Sequence, residues 1–304
     1  MTDDQHTQHP GEAAGVGGPY IELLTQAAPG FDEGAVPVLF HLATPSLPLP
    51  YIEMPSVMRQ LMLPDVRPIT YFRPGYAGTD GRPGRTVADA AVEATAVLDQ
   101  WGVEKAVLWG GSGGGPHALA CGALIPDRVA GIVLDSSPAP FELLGEAGFE
   151  GMNEVNRVGY AMSASAEDGL LEKMRAVFDP TYEVDDPDGI VALARQAIER
   201  EGLPGGTTPA FFADLLVENG PGWADDVRAI TQPWGFGLAD VQVPVHVLYG
   251  TRDTMTPPSH GRFLAANLPN ATVDEYDGDH IALGSPTKGG DVLAAFQRLW
   301  KEGS

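Results

Sequence analysis

The stretch that most constrains this chain is Leu108-Trp-Gly-Gly-Ser-Gly-Gly-Gly-Pro116. An apolar run, Ala106-Val-Leu-Trp109, leads into glycines packed around one serine, and a helical pattern follows from His117 to Ile125. Gly110-Gly-Ser-Gly-Gly114 fits G-x-S-x-G, a strand-to-helix turn so sharp that side chains beside the serine collide. Such a turn lifts Ser112 above a sheet, at a helix N-terminus where the dipole and free N–H groups stabilise an anion. Other glycine loops fit less well. A dinucleotide loop, G-x-G-x-x-G, meets Pro116 or Ser112 where it needs glycine, and a phosphate-binding loop needs a Gly-Lys pair that is absent here. A purely structural glycine turn stays open until the serine's partners are found.

Two later segments supply candidate partners. The apolar run Val245-His-Val-Leu-Tyr249 opens into Gly250-Thr-Arg-Asp-Thr-Met-Thr-Pro257, which puts Asp253 at the carboxyl end of a strand. Thr272-Val-Asp-Glu-Tyr276 is followed by Gly278-Asp-His280. The order Ser112, Asp253, His280 is the one expected when a single parallel sheet supplies all three from strand-end loops. Each has a plainer reading. Asp253 can cap the helix that starts near Pro257, His280 can bond backbone, and Asp135 also ends an apolar run and competes as the acid. His260 is expected on a helix surface, His246 inside a strand and His117 on the helix after the serine, which makes all three poorer bases.

The rest of the chain alternates strand and helix patterns. Strands are expected at Tyr20–Leu24, Val36–Phe40, Pro68–Phe72 and Ala130–Leu134, besides those already named. Thr86-Val-Ala-Asp89 reads as a capping box, followed by helical spacing from Val87 to Trp101 and a stop at Gly102. Further helices are expected around Ser259 to Leu268 and from Val292 to Trp300. Alternating buried strands and amphipathic helices predict an α/β class with a mostly parallel sheet covered on both faces. From 141 to 231 helical stretches (Asp168 to Val177, Ile190 to Glu201, Pro209 to Val217) alternate with Gly/Pro/Asp breaks, the pattern of an inserted helical cap. The expected organisation is a disordered tail over 1–18, a core from 19–140 and 232–304, and a cap over 141–231.

Composition narrows the function. A net charge of -23 disfavours nucleic acid and anionic membranes, because their phosphates are repelled. A single cysteine, Cys121, excludes an intrachain disulfide and a multi-cysteine metal site, and is expected as a small buried apolar group. No basic region followed by an apolar run opens the sequence, and no window approaches the roughly eighteen apolar residues of a span, so a cytoplasmic location is expected.

Taken together, these motifs resemble the α/β-hydrolase superfamily, and within it a bacterial serine-hydrolase branch with G-x-S-G-G-G-P and a Trp-Gly-Phe segment before the acid strand. Here these are Gly110 to Pro116 and Trp234-Gly-Phe236, and the resemblance runs from about residue 36 to the C-terminus. It implies an α/β-hydrolase fold with Ser112 as nucleophile, Asp253 as acid and His280 as base. It also implies an oxyanion hole made by N–H groups of Gly113 and Thr44, with Ala43 as the alternative donor. The chain departs from the family in three places. Leu42-Ala43 stands where His-Gly is usual, Phe72-Arg-Pro-Gly-Tyr-Ala77 where an aspartate and a final glycine are usual, and Thr79 where serine is usual.

The expected activity is hydrolysis of a carboxylic ester of a small, mostly apolar molecule, without metal or organic cofactor. Leu42, Trp234 and Phe236 are the first candidates for substrate contact, with Phe141, Phe149, Met152, Tyr160 and Met162 as further pocket candidates. The same residues would serve a thioesterase, lactonase, aminopeptidase or non-hydrolytic lyase or cyclase, and a ligand-binding protein with little turnover is the reading from another class.

Overall fold

The structure is a computed structural model that describes residues 34–46, 65–77, 79–165, 169–203, 207–283 and 288–303. The strand expected at Tyr20–Leu24 and the tail over 1–18 lie outside the described residues. Six strands form one sheet: β1 (Val36–His41), β2 (Val66–Thr70), β3 (Ala106–Gly111), β4 (Val129–Asp135), β5 (Val245–Gly250) and β6 (Ala271–Tyr276). Their order is β2-β1-β3-β4-β5-β6, and every pairing is parallel. The order reverses direction between β1 and β3, so the loops after those two strands open side by side at one carboxyl edge, where α/β sheets collect ligands.

Strands β3, β4 and β5 are buried along their whole length. Both faces are therefore covered, which is why their sequences are continuous apolar runs rather than alternating ones. One face carries α1 (Ala90–Gln100), α2 (Gly115–Leu124) and α8 (Pro258–Asn267), packed through Val97, Leu119 and Leu264 onto Leu39, Leu108 and Val247. The other face carries α9 (Gly289–Gly303), whose Val292, Phe296 and Leu299 pack on Val38, Val107 and Val133. Edge strand β6 exposes residues 272–275, as its polar sequence requires.

Between β4 and β5 the chain builds only helices among the described residues: α3 (Phe141–Leu144), α4 (Glu154–Ser165), α5 (Leu170–Phe178), α6 (Ile190–Glu201) and α7 (Pro209–Thr231). Helices α4 to α7 bury an apolar cluster of their own that includes Val158, Met174, Ala194 and Leu216. Helix α7 corrects the expectation of a helix ending at Val217, because it runs on through Gly220-Pro-Gly222. The break is bridged by a tertiary contact: Gly222 donates its N–H to the Gly75 carbonyl at 3.1 Å. A backbone bond to the loop after β2 stabilises the stretch that proline and glycine weaken. None of the described helices is long and apolar enough to cross a membrane.

Candidate active site

Ser112 sits at the turn from β3 into α2 with φ of +50°, a left-handed backbone that is costly for a non-glycine residue. The surrounding glycines allow the turn to close. A Cβ on Gly110 would lie 2.6 Å from Gly115 Cα, and one on Gly114 would overlap the carbonyl of His41 at the end of β1. The serine is thus held up by backbone packing that a methyl group would break. His117, on the first turn of α2, bonds the Gly113 carbonyl through Nδ1 at 2.9 Å.

Asp253 follows β5 and is fully buried. Its Oδ1 accepts the N–H groups of Met255 (2.8 Å) and Thr256 (2.9 Å), which leaves Oδ2 facing His280 Nδ1 at 2.7 Å. A carboxylate held in this way fixes the imidazole tautomer and leaves Nε2 for the nucleophile. Asp135, the competing acid, has a different use. Its two oxygens accept the N–H groups of Ala282 (2.7 Å) and Leu283 (2.8 Å), and Ser136 Oγ accepts that of Ile281 at 3.2 Å. The end of β4 therefore pins the loop that carries His280, in which Ile281 is forced to φ of +63°. Burial pushes the Asp135 carboxyl upward, against the N–H groups that pull it down.

No hydrogen bond joins Ser112 to His280 among the described residues. Among the described residues, burial pulls the other four histidines, His41, His117, His246 and His260, below the usual imidazole range. His260, expected on a helix surface, is instead fully buried: Nδ1 accepts the Ala139 N–H at 3.0 Å and Nε2 donates to the Gly148 carbonyl at 2.7 Å. His246 lies in β5 against Thr272 and Arg298. His41 is driven down to about 3 by burial and then by the charge of Arg73. Cys121 is buried as expected, and its thiol is pushed well up by burial.

The Leu42-Ala43-Thr44 turn is held by charges that sequence patterns did not single out. Arg73 donates to the carbonyls of Leu42 (2.7 Å) and Ala43 (2.9 Å), and pairs with Asp226 of α7 at 2.5 Å. Asp226 is wholly buried and also accepts from Arg85, from Tyr76 Oη (2.7 Å) and from Thr44 Oγ1 (3.2 Å). Burial opposes its charge, but the two guanidinium groups hold the carboxyl far below the usual range. With its carbonyls tied to Arg73, the turn keeps Thr44 against Gly113, where an added Cβ would lie 2.7 Å from Thr44 Cβ. Ala43 needs no left-handed backbone, so the turn closes without the family's glycine.

Ser112, Gly113 and Thr44 border one cavity of about 160 Å³, together with Tyr160 and Met162. The other pocket candidates lie elsewhere. Trp234 and Phe236 pack into the core beneath α1 and α2, where the Trp234 indole donates to the Ile230 carbonyl at 3.0 Å. Leu42 packs against β1 and α9, and Phe141, Phe149 and Met152 form a cluster beside Tyr160. The residues that do line the cavity from the helices, Val155, Met174, Phe178 and Trp223 among them, carry no sequence signal beyond ordinary amphipathic spacing. The Tyr160 hydroxyl is pushed up to about 12 by burial and then by the Asp253 charge, so it remains a donor. Among the described residues no group of three or more His, Cys, Asp or Glu could hold a metal ion.

The parallel sheet and its flanking helices are matched by comparison with known proteins. The family model described as alpha/beta hydrolase fold matches residues 59–285. The chain belongs to the α/β hydrolase family. Several solved structures share the fold. A hydrolase from Pseudomonas aeruginosa is 20% identical with a TM-score of 0.59, over 88% of this chain and 92% of that one. An esterase from Rhodococcus is 19% identical with a TM-score of 0.57, over 90% and 93%. An enol-lactonase from Burkholderia xenovorans is 17% identical with a TM-score of 0.55, over 88% and 92%. This α/β hydrolase is an enzyme of the hydrolase class.

Proposed function

We propose that this hydrolase is a serine esterase that cleaves a small, mostly apolar carboxylic ester through Ser112, His280 and Asp253. The observation that carries the reading is the Asp253–His280 contact of 2.7 Å, with the second Asp253 oxygen saturated by two backbone N–H groups. That pair has one free function left, to take and return a proton at His280 Nε2.

The steps follow from the residues. Ser112 Oγ attacks the ester carbonyl carbon while its proton passes to His280, and Asp253 stabilises the imidazolium. The carbonyl oxygen becomes an oxyanion held by N–H groups of Gly113 and Thr44. The C–O bond to the alcohol breaks, and His280 returns the proton to that alcohol. Water then gives a proton to His280 and adds to the acyl-enzyme, which releases the acid and restores Ser112. Residues 141–231 act as the cap over this site. A net charge of -23 favours a neutral substrate over a polyanion.

The test is turnover of p-nitrophenyl esters by the wild type and by Ser112→Ala. Hydrolysis by the wild type that is lost in the variant supports the reading. Equal rates in both would sink it.

A further inference from the structure

Two cavities of opposite chemistry meet the proposed catalytic groups. The first, about 160 Å³, touches Ser112, Gly113 and Thr44 and reaches into the apolar interior of α4 to α7, against Met174, Ala194 and Trp223. None of the described residues along it is charged. The second, about 300 Å³, touches His280 and Asp253 and is bordered by Arg252, Asp279, Asn153 and Glu201. Met255 borders both.

We propose that the ester straddles these cavities, with a neutral acyl group of about six carbons in the first and a polar alcohol in the second, and that Gly159 sets the acyl length. This rests on the esterase reading above. The direction follows from proton transfer: the oxyanion donors hold the acyl carbonyl, whereas His280 must reach the departing alcohol, so the alcohol lies on the histidine's side. The size follows from volume, because an apolar cavity of about 150 Å³ takes up benzene. The neutrality follows from charge. A carboxylate tail would be desolvated without a cation, since Arg73 and Arg85 are committed to Asp226.

Gly159 carries the length argument. It lies in the middle of α4, where glycine weakens a helix more than any residue except proline. Yet a Cβ there would meet nothing within 4 Å, and its backbone is not left-handed. Neither packing nor conformation asks for glycine, and the residue borders the acyl cavity. The missing side chain is the room the acyl group uses.

The experiment compares p-nitrophenyl acetate, hexanoate and dodecanoate on wild type, Gly159→Ala and Gly159→Phe, with melting temperatures to show that each is folded. The wild type should prefer hexanoate over acetate by roughly 10²-fold in kcat/KM, since each buried methylene is worth a few-fold, and should lose activity on dodecanoate. Gly159→Phe should lose at least about tenfold on hexanoate relative to acetate, and Gly159→Ala should show a smaller loss in the same direction. A folded Gly159→Phe with the wild-type profile, or a wild type that prefers acetate, overturns the proposal and leaves the esterase reading standing. A wild type that hydrolyses no ester sinks that reading instead, and 1-hexanol then decides the cavity alone. Stabilisation of the wild type but not of Gly159→Phe upholds the acyl site, and stabilisation of neither overturns it.

Discussion

The two halves of this molecule hold their residues in opposite ways. At the carboxyl edge of the sheet the proposed catalytic groups are fixed through backbone. Glycines at 110 and 114 allow Ser112 its left-handed φ, two N–H groups clamp Asp253, and Asp135 clamps the loop bearing His280. In the helices between β4 and β5, apolar side chains such as Val155, Met174 and Trp223 border a cavity of about 160 Å³. In the proposed reading the sheet edge sets what chemistry is done, and the helices set what it is done to. The two halves are joined at Asp226, which lies on α7 but binds Arg73, Arg85, Tyr76 and Thr44 of the sheet half.

The largest effect should come from the sheet edge. Ser112→Ala is expected to lower ester turnover by roughly 10⁴–10⁶-fold with the melting temperature kept, as read by steady-state kinetics and calorimetry. Asp253→Asn should cost about 10⁴-fold in kcat by favouring the wrong histidine tautomer. Asp135→Asn should cost far less activity and about 1–3 kcal/mol of stability, because it strands a buried N–H of the His280 loop. The reverse ranking would move the acid from β5 to β4.

The joint is the next place to press. Asp226→Asn leaves two buried guanidinium groups without their anion and should cost about 3–5 kcal/mol in denaturant unfolding. The pH dependence has a definite sign. Asp226 binds its proton less readily folded than unfolded, so its stabilisation is complete above about pH 4 and falls as the pH drops below that. The stability gap between wild type and Asp226→Asn should therefore narrow in acid. A gap that is constant from pH 7 to pH 3 would mean that the carboxylate charge is not what joins the halves.

The smallest effect concerns Glu93 of α1, whose buried Oε1 makes no hydrogen bond and lies 3.8 Å from Arg82 Nη1, and whose carboxyl is pushed up to about 7 by burial. Here the folded chain keeps its proton to higher pH than the unfolded chain. Glu93 thus costs stability increasingly as the pH rises from about 4 to about 7. Glu93→Gln should raise the melting temperature at pH 8 and change it little at pH 4.

The same division decides what could be read from the sequence. Ser112 was legible because only glycines permit its turn, and the parallel sheet followed from unbroken apolar runs in β3, β4 and β5. Strand ends alone do not rank Asp253 above Asp135; the resemblance favours Asp253, and the hydrogen bonds of the two carboxylates tell them apart. Arg73 and Asp226 lie 153 residues apart, so no local pattern pairs them. Trp234 and Phe236 looked like substrate contacts, but a large aromatic beside a site reads the same whether it faces the site or the core. Val155, Met174 and Ala194 lie on three separate helices of ordinary amphipathic spacing, and periodicity cannot tell a filled interior from a hollow one.

If Ser112 is the nucleophile, a fluorophosphonate should find it, and intact mass with peptide mapping reads this directly. One adduct per chain is expected, carried on Ser112, abolished in Ser112→Ala and largely lost in His280→Ala. An adduct on another residue, or none in a folded wild type, would contradict that role.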